Sequence, residues 1–62
     1  MENNVIKYFQ KMGGEFAKCM PDIDKFIDGN NSAGTRVRKA MQTIKRLAQD
    51  VRVEVQKQKN SA

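Results

Sequence analysis

Histidine and tryptophan are missing from this chain of 62 residues, and cysteine and proline occur once each. Each absence excludes a kind of chemistry. Without histidine, a single thiol provides no ligand set for zinc, and no imidazole is present to activate Cys19 as a nucleophile. One cysteine also forms no internal disulfide. No apolar run is longer than two residues, whereas a membrane span needs about 20 predominantly apolar residues. The opening MENNVIKYFQ contains Glu2 and lacks the apolar region of a secretory signal. The expectation is a cytoplasmic protein that is not an enzyme, takes no cofactor, metal or small-molecule substrate, and enters no membrane.

A chain of this length forms one domain, residues 1–62, and such a domain is marginally stable alone. Closely packed helices or self-association are the ways left to stabilise it.

What is abundant is positive charge, a net +5, and it is unevenly placed. Residues 1–28 hold four lysines against five acids, a net −1, and residues 29–62 hold eight cations against two acids, a net +6. A basic half points to a polyanionic partner.

Apolar residues fall at helical spacing in both halves. Val37, Met41, Ile44, Ala48, Val51 and Val55 alternate steps of four and three, which is a heptad seam with Val37, Ile44 and Val51 at d and Met41, Ala48 and Val55 at a. Ala40 and Leu47 widen it on the g side. In the first half Val5, Phe9, Met12, Phe16, Cys19, Ile23 and Phe26 follow the same rule, broadened by Ile6, Met20 and Ile27. This stripe passes through Pro21, where a lost hydrogen bond and a ring clash predict either a kink or a break. Gly29 stands where a helix-ending glycine belongs, and Asn31 or Ser32 is placed to cap the next helix.

The spacing therefore predicts an all-α fold. It is an antiparallel two-helix hairpin, with a helix over about 3–28, a turn at 29–31 and a basic helix over about 32–59. Both stripes are wider than one seam requires, so a homodimer of hairpins in a four-helix arrangement is expected.

Two other readings of the turn fail. GNNSAGT has glycines at phosphate-loop spacing but lacks the lysine and the preceding strand. PDIDKFIDGNN fits a calcium loop in neither register, because apolar or basic residues fall on required glycine and ligand positions. Cys19 lies on the apolar stripe and reads as a small buried hydrophobe.

With the seam assigned, Arg38, Lys45, Arg52 and Lys59 repeat by seven at e, and Lys39 and Arg46 follow at f. Arg36 lies near the helix start. The stripe extends along roughly 30 Å of helix, against one DNA phosphate charge per ~1.7 Å of axis. No aromatic residue or Asn/Gln pair stands among the arginines to read bases, so weak sequence preference is expected. The same charges also suit interhelical pairing beside a coiled-coil seam, with Glu15, Asp22 and Asp24 as partners. Charge pattern alone leaves both readings open.

The block GNNSAGTRVRKAMQTIKRLAQDVRVEVQKQKN resembles the bacterial linker-histone-like family, the chlamydial-type histone-like proteins and their short relatives in other bacteria and phages. Gly29, Asn30, Ala33, Gly34, Arg36 and Arg38 carry the resemblance, over roughly residues 22–60. Asn31 stands where that family usually has Lys. The resemblance implies a nucleoid-associated protein that binds and condenses DNA without catalysis, with Arg36, Arg38, Lys39, Lys45, Arg46 and Arg52 on phosphates. Ala33 and Gly34 have a second reading, as small residues that let two helices approach. The expected partner is duplex DNA held by its phosphates. The alternatives are an RNA-binding hairpin dimer and a helical protein-interaction module.

Overall fold

In the computed structural model, which describes residues 3–61, the chain forms two antiparallel α-helices, α1 (Asn4–Ile27) and α2 (Asn31–Ser61). Met1, Glu2 and Ala62, the ends of the single 1–62 domain expected above, lie outside the described residues. The hairpin measures 50 × 18 × 11 Å with a radius of gyration of 14.8 Å. A compact domain of this length has a radius near 11 Å. The molecule is thus a rod with little interior.

Local chemistry fixes the ends of each helix. Asn3 is extended, and its Oδ1 accepts from Val5 N at 2.8 Å, which starts α1. At the other end Gly29 N donates to Phe26 O (2.9 Å) and Asn30 N to Lys25 O (3.0 Å). These two bonds form a Schellman motif. It requires a left-handed residue, and Gly29 takes φ 105. The reversal is complete one residue earlier than the sequence suggests. Asn30, not Asn31 or Ser32, caps α2, with its Oδ1 accepting from Ala33 N at 3.0 Å. α1 continues through Pro21 without breaking.

The line of α2 that faces α1 is Ala33, Ala40, Leu47 and Glu54, the g positions, flanked by Ile44. On α1 the facing line includes Tyr8, Met12, Glu15, Cys19 and Asp22, of which Cys19 is buried. Ala33 is fully buried, and no larger side chain is. The expected a/d seam is therefore displaced. Phe9 and Phe16 are 67% and 50% exposed, and Met41 and Val55 also lie open. The physical reason is width. The apolar stripe of each helix covers more arc than one partner helix can, and the hairpin uses only one edge of it.

Near the turn the small residues have a defined job. A Cβ at Gly34 would stand 2.7 Å from Phe26 Cδ1, closer than a carbon contact allows. Gly14 meets nothing within 4 Å. Gly14→Ala is accordingly expected to stabilise the chain by about 1 kcal/mol through helix propensity. Gly34→Ala is expected to destabilise it by about 1 kcal/mol, because overpacking outweighs that gain. In a Phe26→Leu background the Gly34→Ala penalty should shrink. Urea melts at one fixed protein concentration check all three.

Polar groups clasp the open end of the hairpin. Asn3 and Gln58 exchange side-chain amide hydrogen bonds, both 3.1 Å. Asn4 Nδ2 donates to Glu54 Oε1 at 2.7 Å, and Lys57 Nζ lies 3.4 Å from Glu54 Oε2. The Asn4 hydrogen bond, with help from Lys57, outweighs desolvation and holds the Glu54 carboxyl below its ordinary value of 4.5. A depressed folded-state value stabilises the fold above the unfolded value, and that contribution is lost as pH falls through the folded one. The stability difference between the native chain and Glu54→Gln is therefore expected to be full above about pH 4.5 and to shrink below it. Parallel melts across that window measure it.

Candidate nucleic-acid interface

α2 presents its cations by helical phase, at 100° per residue. Arg38, Lys45, Arg52 and Lys59 share one line, about 40° round the helix from Met41 and Val55. They form the rim of the exposed apolar face. The surface grooves agree. Arg38 lines one with Phe26, Gly34 and Val37, and Lys59 lines another with Val5, Ile6 and Val55.

The positions Lys39 and Arg46 lie about 100° further on, so they do not simply thicken the same stripe. Lys45, Arg46 and Arg52 still meet around one shallow groove beside Gln42 and Gln49. Lys39 lines a groove between the helices with Lys18, Asp22 and Arg36. Arg36 turns towards α1, with its Nε 2.9 Å from Asp22 Oδ1. Its charge is met within the hairpin. Of the seven basic residues singled out in the sequence, the structure brings Lys45, Arg46 and Arg52 together and sets Arg36 apart.

Electrostatics separate the two halves of that set. Among the described residues, ion pairs join Glu15 with Lys18, Asp22 with Arg36 and Glu54 with Lys57. Arg38, Lys39, Lys45, Arg46, Arg52 and Lys59 have no carboxylate of a described residue within ion-pair distance, and all are exposed. The three paired acids thus sit in or beside the seam while the e line stays uncompensated. A line of unpaired, solvated cations on a straight helix has the chemistry to hold an extended polyanion.

The family model described as histone H1-like protein Hc1 matches residues 6–61. The chain belongs to that family. The match spans α1 almost entirely as well as α2, so the histone H1-like unit is the whole hairpin and not the basic helix alone. No curated protein and no solved structure matches the chain. No helix of the described residues is long and apolar enough to cross a membrane.

One set of cations in this histone H1-like hairpin escaped the sequence reading. Lys7, Lys11, Lys18 and Lys25 step by four, seven and seven along α1, and all are exposed. The net −1 of the first half conceals them, because a sum of charges carries no information about phase. Their spacing was the signal.

Proposed function

We propose that this protein is a nucleoid-associated, cytoplasmic DNA-binding protein that holds duplex DNA by its phosphates, without reading bases. The observation that carries this reading is membership of the histone H1-like family. The unpaired e line supports it and supplies the mechanism. Each cation that meets a phosphate displaces a condensed counterion, and the released ions drive binding. Arginine forks a phosphate with two hydrogen bonds, while lysine acts as a point charge. Arg38, Lys45, Arg52 and Lys59 form the primary track, with Lys39 and Arg46 beside it. Arg36 contributes less, since Asp22 already meets its charge.

Two hairpins pair through the apolar face in this reading. A folded chain of this mass exposes on the order of 4,100 Å², and the hairpin exposes 5056 Å². The excess, about 1,000 Å², is comparable to the ~800 Å² that each partner buries in a standard interface. Ile6, Phe9, Phe16, Met20 and Ile27 occupy one sector of α1 and are exposed. A second copy of the same face covers them and makes a four-helix arrangement, with the e lines flanking the seam as charged residues flank coiled coils.

Competition binding tests the nucleic-acid part. Unrelated duplexes are expected to bind within about threefold of one another, far inside the roughly 10³ that separates specific from non-specific sites. A structured RNA of equal charge is expected to bind more weakly at the same salt. Preference for the RNA would overturn the DNA reading.

A further inference from the structure

The lysine row of α1 has no role in the site described above. At 100° per residue, Lys7, Lys11, Lys18 and Lys25 fall within about 40° of arc. Ile6, Phe9, Phe16, Met20 and Ile27 fall on the other side of α1, their mean direction about 160° away. The row therefore lies on the back of the hairpin, opposite the apolar face. On α2, Lys39 and Arg46 lie about 140–180° from Met41 and Val55, towards that same back. The groove that both Lys18 and Lys39 line confirms that the two helices present these cations to one side.

Glu15 and Asp22 lie inboard of the row, and Asp28 is exposed three residues beyond Lys25. Asp22 is bound by Arg36 at 2.9 Å, and Glu15 is 4.0 Å from Lys18. Asp50 is half-buried on the side of α2 towards the seam. Lys7, Lys11, Lys25, Lys39 and Arg46 have no described carboxylate within ion-pair distance. Lys11 is exposed, and its Nζ lies 5.8 Å from the centre of the Tyr8 ring, within cation–π range.

We infer that the back of the hairpin, with the α1 row Lys7, Lys11, Lys18 and Lys25, is a second phosphate track that takes a separate DNA duplex. From Lys7 to Lys25 the row runs about 27 Å, the length of about eight phosphates at ~3.4 Å per strand. The e line flanks the apolar face, and this row lies behind it. The row stands on α1 and the e line on the outer edge of α2, so the two face different sides of the hairpin. One hairpin, and still more a pair, then links two duplexes. This rests on the DNA-binding reading and adds bridging to it.

Two variants that remove equal charge separate the sites. Lys7→Gln/Lys11→Gln/Lys25→Gln alters the back, and Arg38→Gln/Lys45→Gln/Arg52→Gln alters the edge. Each is measured for binding to one labelled duplex by anisotropy. Each is also measured for capture of a second, fluorescent duplex by a bead-bound one at saturating protein. The back variant is expected to bind a single duplex within about threefold of the native chain and to capture the second at least about tenfold less. The matching Lys→Arg variant keeps the charge and is expected to restore capture, which excludes loss of fold as the cause. Undiminished capture by the Gln variant would overturn the inference. So would a fall in single-duplex affinity as large as the edge variant's, since the row would then belong to the first site. Failure of the native chain to bind any duplex would overturn the DNA reading itself, and bridging with it.

Discussion

Replacing Arg38, Lys45 and Arg52 together with Gln is expected to weaken binding to a single duplex by about 500-fold at about 0.1 M salt. The magnitude comes from counterion release. Each phosphate contact contributes about 0.9 to the slope of log K against log salt. Three lost contacts remove about 2.7 from the slope, and at a tenth molar that is a factor of about 500. The loss should be alike for unrelated sequences, and it should fade as salt rises. Arg36→Gln is expected to cost much less affinity, because the Asp22 carboxylate 2.9 Å away already compensates it. Its effect on stability should also be small, in the range of about 0.2–1 kcal/mol for an exposed pair. Anisotropy titrations at several salt concentrations measure both.

The second large effect concerns the apolar face. Phe9→Ala with Phe16→Ala is expected to weaken pairing of two hairpins by about 100-fold. Each ring has half or more of its surface still to bury, or roughly 1.5 kcal/mol apiece. Two together make about 3 kcal/mol, and each 1.4 kcal/mol is tenfold in Kd. Neither ring lies on the line that faces α2, so helicity at high protein concentration should persist. Sedimentation equilibrium reads the pairing, and circular dichroism reads the fold. Unchanged self-association would show that the pairing does not use this face.

How far the molecule was legible in its sequence depends on which physical quantity was asked for. Period is a local property, and it fixed two helices and their antiparallel turn, because heptad spacing on both sides of Gly29 leaves few other folds. Which edge of a wide stripe pairs within the hairpin is not local. Phe9 and Phe16 sit at the centre of the α1 stripe and were natural choices for the seam. The helices instead meet along Cys19, Ala33, Ala40 and Leu47, where small residues allow a close approach. Burial of Glu54 was illegible for the opposite reason. A carboxylate on the g line reads as a solvated charge until its partners Asn4 and Lys57 are in place. Pro21 suggested a kink or a break, and the helix does not break there.

The candidate site was legible in part for a similar reason. A repeat of seven placed Arg38, Lys45, Arg52 and Lys59 on one line, and α2 being one continuous helix keeps them there. The inward turn of Arg36 required knowing that Asp22 comes alongside it, 14 residues away in sequence. The separation of Lys39 from the e line followed from phase but was hidden by adjacency in the sequence. The lysine row of α1 was hidden by its neighbours' charges.

In the proposed reading this hairpin holds DNA through phosphates met by unpaired cations. A labelled duplex of about 30 base pairs, titrated with the native chain at several salt concentrations, tests it most directly. With about five or six phosphates neutralised per protomer, log K should fall against log salt with a slope near −5, the same for unrelated sequences. Affinity that ignores salt, or no binding even at low salt, would contradict the claim and leave the basic edge of α2 as a solvated face.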